Sequence, residues 1–142
     1  VEQAFWDSSS LIPLCVRRSA TPIVQTLAAN YLKAVWWGTP VEMRSGFSRL
    51  ARMGRLSSNG QVQALVRLDQ LRRVWGEVGP SERLRERAES LVERFPLKAA
   101  DAFQLAAAWE WCLGRPRGRP FISGDSQLLG GARDLGFKAI EA

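Results

Sequence analysis

The sequence contains no histidine. That excludes Ser-His-Asp triads, Cys-His pairs and the paired-histidine chemistry of metal-free ribonucleases. It also removes the commonest ligand for zinc and copper. Any bound metal has to be held mainly by oxygen, which suits Mg²⁺ or Mn²⁺. Cysteine is nearly absent: Cys15 and Cys112 lie far apart, each in an apolar stretch, and are expected to be buried thiols. No apolar run approaches the roughly 20 residues needed to cross a bilayer, so no membrane association is expected. The stretch from Val1 to Asp7 lacks the basic-then-apolar layout of a signal peptide, which leads to the expectation of a cytoplasmic protein.

What is present fits one soluble domain spanning 1–142, with 46% hydrophobic and 24% charged residues. The formal charge is +6 and the pI about 10.3. A basic surface favours polyanions, either nucleic acid or an acidic protein.

Short apolar runs alternate with helical patterns. Gln3 to Trp6 reads as a strand ending at Asp7, and Ala34 to Trp37 as a second. Serines 8–10 and the pair Thr21-Pro22 open helices, the second reaching about Leu32. Val41 to Met53 is amphipathic and stops at Gly54; another helix starts at Ser57-Ser58. Gly76 to Pro80 reads as a loop. Ser81 to Phe95 interleaves Glu82, Glu86, Glu89 and Glu93 with arginines, a solvated face laced with charge pairs. Ala99 to Leu113 is a strongly apolar helix, and Gly114 to Pro120 a basic loop. A strand within Pro120 to Ser123, a helix over Asp125 to Leu135 and a strand over Phe137 to Ile140 complete the chain. The alternation predicts an α/β fold with a mainly parallel sheet.

Most of the 14 acidic residues explain themselves as solvated or helix-surface groups. Four stand out. Asp7 closes a strand, where parallel sheets form their ligand crevice; it or a following serine also suits a helix cap. Asp101 shares a helix face with Leu105, Ala108 and Cys112, so it calls for a charged partner or a metal; the helix dipole also favours an acid there. Glu42 lies in a first helical turn, with small Ser45 and Gly46 leaving space beside it. Asp125 has a complete explanation as an N-cap, yet sits at a strand-to-helix junction. Gathered at one sheet edge, such carboxylates repel one another, and a divalent cation removes that cost.

The segments FWDSSSL, WGTPVEMRSGFSRLARMGRL, LKAADAFQLAAA and FISGDSQLLGGARDLGF, in this order, resemble the PIN-domain ribonucleases, specifically the VapC toxins of bacterial toxin–antitoxin pairs. The resemblance covers essentially the whole chain. It implies a three-layer α/β/α sandwich, Mg²⁺ or Mn²⁺, and endonucleolytic cleavage of RNA. Asp7, Glu42, Asp101 and Asp125 match the family's acidic quartet as metal-holding and catalytic residues. Ser9 matches the small hydroxyl residue that supports the first acid. A homodimer and a VapB-type antitoxin partner are implied as well. The bulky apolar residues between Val41 and Trp75 would suit an antitoxin groove, although the core has equal claim on them.

Arg44, Arg49, Arg115, Arg117 and Arg119 are the candidates to position phosphates, against the plainer reading of surface arginines. Two rival readings stand beside the nuclease. A catalytically inactive PIN-like module would bind RNA or protein but have lost an acid. An aspartyl-nucleophile phosphotransferase usually carries a second aspartate where this chain has Ser9.

Overall fold

The run Ala4, Phe5 and Trp6 is fully buried, which requires cover on both faces and places it at the centre of a sheet. The computed structural model describes residues 2–16 and 20–142. In chain order the elements are β1 (Glu2–Trp6), α1 (Ser8–Cys15), α2 (Pro22–Asn30), β2 (Tyr31–Trp36), α3 (Thr39–Arg52), α4 (Ser58–Arg72), β3 (Gly76–Val78), α5 (Glu82–Arg94), α6 (Ala99–Trp111), β4 (Pro120–Ser123), α7 (Ser126–Leu135) and β5 (Lys138–Glu141).

The strands form one sheet in the order β3-β2-β1-β4-β5. Every ladder is parallel, so the expected mainly parallel sheet is wholly so among the described residues. Phe5 faces Ala34 on one side and Phe121 on the other; Trp6 pairs with Ile122. Side chains alternate across the sheet. Phe5 and Phe121 pack against α5, α6 and α7 through Leu84, Leu105 and Leu128. Ala4, Trp6 and Ile122 pack against α1, α3 and α4 through Leu11, Phe47 and Leu68. The result is a three-layer α/β/α sandwich.

Helix starts follow local chemistry. Thr21, Ser57 and Ser81 each accept an amide N–H of their first turn, from Val24, Gly60 and Leu84 respectively. Some expectations need correction. β3 lies inside the expected Gly76–Pro80 loop; its three residues carry no alternation and become a strand by pairing with Ala34, Val35 and Trp36. β2 begins at Tyr31, inside the expected second helix, and ends before Trp37. The acid–arginine face of α5 is exposed, but Glu82–Arg85 is its one ion pair among the described residues. Solvated long side chains gain little from pairing. Cys15 and Cys112 are buried, free thiols, as expected.

The end of α6 carries a local strain. Leu113 has φ +55°, and Gly114 follows at +72°. Leu113 is 84% exposed, so its side chain returns almost no burial energy. A left-handed conformation costs a non-glycine residue about 1–2 kcal/mol. Leu113→Gly is therefore expected to raise stability by about 1 kcal/mol, after the extra entropy of an unfolded glycine is subtracted. Urea denaturation checks it; an unchanged or lower midpoint contradicts the strain.

Candidate active site at the carboxyl edge of the sheet

In a wholly parallel sheet, all strand carboxyl ends and the starts of the helices that run back lie at one edge. Asp7 directly follows β1, and Asp125 follows β4. Glu42 and Asp101 lie in the first turns of α3 and α6. The four acids expected from sequence therefore share that edge.

Asp7 occupies the N-cap position of α1, yet its side chain makes no cap hydrogen bond. Capping does not explain it. Its carboxylate instead accepts from the Ser9 hydroxyl, at 2.8 Å to Oδ1 and 3.0 Å to Oδ2. Ser9 Oγ in turn accepts the Gly124 amide at 2.9 Å and lies 3.4 Å from Ser123 Oγ. One hydroxyl thus joins the end of β1 to the β4–α7 turn. Asp7 is 2% exposed. Burial pushes its carboxyl up from 3.8 to about 7, with the Ser9 and Ser123 hydroxyls pulling the other way.

Glu42 is half-buried and gripped at both oxygens. Ser8 Oγ donates to Oε1 at 2.9 Å, and Gln104 Nε2 to Oε2 at 3.1 Å. Its pKa is raised by burial and, to a smaller degree, by the negative charge of Asp101. The expected space beside it belongs to another residue. A side chain at Gly46 would meet Ile12 Cδ1 at 2.5 Å, so that glycine lets α1 pack on α3.

Asp101 also departs from expectation. Leu105, Ala108 and Cys112 are buried, but Asp101 is only half-buried, because it stands in the first turn at the open rim. Its pKa is raised by burial and then by Asp125, with Lys98 opposing. The strongest burial falls on Asp7 instead. Asp125 caps α7: Oδ1 accepts from Gln127 at 2.9 Å and Leu128 at 3.0 Å. Both cap bonds fall on Oδ1, which leaves Oδ2 outside the cap.

Among the described residues, no three acids or thiols close round a single point as a ready coordination sphere. The acids form a string of neighbours, Glu42 to Asp101 to Asp125, with Asp7 tied in through Ser9 and the β4–α7 turn. An all-oxygen donor set that leaves room for water suits Mg²⁺, which keeps several waters and takes few protein ligands.

Ser8, Thr39, Gln104 and Ser123 belong to this site and were not singled out from the sequence. Gln104 is the most telling. It is fully buried, donates to Thr39 Oγ1 at 3.1 Å as well as to Glu42, and its Oε1 has no partner. The signal was present: a polar residue one turn beyond Asp101 in an otherwise apolar helix.

The basic loop lies elsewhere. It leads into the start of β4, at the opposite edge from the acids. Arg119 stacks on Trp111, 4.1 Å from the ring centroid. Arg115, Arg117 and Arg119 are thus removed as partners of a phosphate at the acidic edge, while Arg44 and Arg49 stay exposed on α3.

The sequence matches no family model, and no curated protein matches it significantly. Solved structures do match. A toxin–antitoxin complex from Klebsiella pneumoniae contains a chain similar at TM-score 0.62 and 18% identity, covering 91% of this chain and 92% of that one. The crystal structure of PAE2754 from Pyrobaculum aerophilum is similar at TM-score 0.65 and 18% identity, covering 99% and 89%. At that identity, the likeness establishes a shared fold over nearly the full length of both chains.

Proposed function

We propose that this chain is a metal-dependent endoribonuclease, a PIN-domain toxin of the VapC kind acting in the cytoplasm as one half of a toxin–antitoxin pair. The observation that carries it is Asp7: a buried carboxylate at the end of the central strand, gripped by Ser9 and capping nothing. A protein gains no stability from such a group, so a ligand is its natural explanation.

Asp7, Asp101 and Asp125 would hold Mg²⁺ or Mn²⁺, with Glu42 beside them. The bound cation would polarise a phosphodiester and acidify a water. Glu42, oriented by Ser8 and Gln104, is the group to accept the proton of the attacking water. Water adds to phosphorus and the P–O bond to the departing nucleotide breaks. Arg44 and Arg49 are the arginines left to steady the RNA backbone.

Support for an antitoxin partner comes from the Klebsiella pneumoniae toxin–antitoxin complex. Val41, Met53, Val62, Val66 and Val74 lie exposed on and around α3 and α4, an apolar surface for a partner segment. A homodimer belongs to the same proposal. No helix among the described residues is long and apolar enough to cross a membrane.

An inactive PIN-like binding module is the second reading, favoured by the lack of three converging acids. RNA cleavage with Mg²⁺ or Mn²⁺ separates the two. Asp7→Ala and Asp101→Asn are expected to lower the rate by about 100-fold or more, the scale of losing a group that acts at the transition state. Cleavage that survives both changes, or excess EDTA, sinks the nuclease proposal.

A further inference from the structure

A cleft of about 440 Å³ opens beside the acidic edge, lined by Trp36, Trp37, Phe103, Leu84, Arg85 and the turn at Pro80. None of the four acids lines it. Its walls are chiefly aromatic. Trp36 and Phe103 stack with ring centroids 5.5 Å apart and planes 1° from parallel. Trp37 stands at 69° to Trp36 and is 57% exposed. The Trp37 backbone is pinned by its amide, which donates to Val78 O at 3.0 Å. The closeness of the Gly38 backbone to Trp36 also matters: a side chain there would meet Trp36 Nε1 at 2.5 Å.

The cleft is continuous with the site. Phe103 precedes Gln104, which bonds Glu42, and Trp37 precedes Gly38, which starts the helix bearing Glu42. A bulky apolar residue left open on a pinned backbone next to the site is costly unless something stacks on it. The chain carries a net charge of +6, which draws a polyanion to its surface.

We propose that this aromatic cleft takes an unpaired nucleobase of the substrate, so that the enzyme acts on single-stranded RNA, with Trp37 as the stacking platform. The proposal rests on the nuclease reading in taking RNA as the substrate. A flat indole face stacks on any base, whereas a paired base in a duplex keeps its faces covered. Trp37 is a positioning residue: it holds a nucleotide near the acids and takes no part in the proton transfers.

The test is binding of a labelled mixed-sequence RNA strand, alone and annealed to its complement, in excess EDTA so that no strand is cut. Trp37→Ala is expected to weaken binding of the single strand by about 5- to 150-fold, the effect of losing one base–aromatic stack, and to leave duplex binding unchanged. Trp37→Phe should restore most of the affinity. Gly38→Ala, which displaces the Trp36 indole, should weaken the single strand as well. Equal affinity of wild type and Trp37→Ala overturns the proposal. So does an equal loss for single strand and duplex, or a wild type that binds no RNA and takes an apolar peptide in the cleft. Trp37-dependent binding without any cleavage in Mn²⁺ would sink the nuclease reading and leave the stacking site standing. Cleavage that ignores Trp37→Ala would do the reverse. Thermal melting of each variant shows whether a loss is merely unfolding.

Discussion

Asp7→Asn is expected to stabilise the metal-free protein at pH 8 by up to about 4 kcal/mol and to leave it unchanged near pH 4. Burial raises the Asp7 carboxyl from 3.8 to about 7. Below pH 4 the group is protonated in both folded and unfolded chains, and burial costs little. Between pH 4 and 7 the unfolded chain releases the proton and the folded one retains it. The folded state then binds more protons, so stability falls as pH rises through that window and levels off above 7. The gap of about 3 pH units, at 1.36 kcal/mol each, sets the upper size of the effect. Asparagine keeps an acceptor for Ser9 and carries no charge to desolvate. Urea denaturation in EDTA at both pH values measures it. A variant less stable than wild type at pH 8 would mean that the carboxylate is held by a favourable interaction and that the burial argument is wrong.

Saturating Mn²⁺ or Mg²⁺ should act in the opposite direction on the wild type. A ligand present at 100 times its Kd stabilises the folded state by about 2.7 kcal/mol. For a chain of this length that is a rise in Tm of roughly 8 °C. The cation should also flatten the fall in stability between pH 4 and 7, because it keeps Asp7 ionised without penalty. Asp7→Asn should remove most of the thermal shift. Calorimetry with and without metal decides the matter. An unchanged wild-type Tm would remove the metal from the proposed function, and an undiminished shift in the variant would relocate it.

The contrast between Asp7 and Asp101 shows how far sequence reasoning reaches. Both were legible as acids out of place, and so was their gathering at one edge, because parallel α/β topology dictates it. Their ranking was not. Helical spacing places Asp101 on an apolar face, but only the packed structure shows that its turn stands at the rim. Asp7 is buried by residues more than a hundred positions away. Caps such as Thr21 and Ser81 were readable because they depend on three or four neighbouring residues. β3 was not, since Gly76–Val78 becomes a strand only by pairing with β2. Gly46 was misjudged for the same reason: its smallness accommodates Ile12, a residue from another helix. The basic loop looked like a phosphate clamp by composition, and its place in the chain order sends it to the far edge.

The hydroxyl of Ser9 has a consequence for a chain still on the ribosome. Its partners Ser123 and Gly124 are made near the end of synthesis, as is β4, the neighbour that covers one side of β1. Until then Asp7 lies on an open strand, wet and without its neighbours, and Asp125 does not exist. Hydrolytic activity at this edge would therefore begin only after nearly the whole polypeptide has emerged. A cell making the protein has the time of almost one full round of translation in which the nascent chain is harmless.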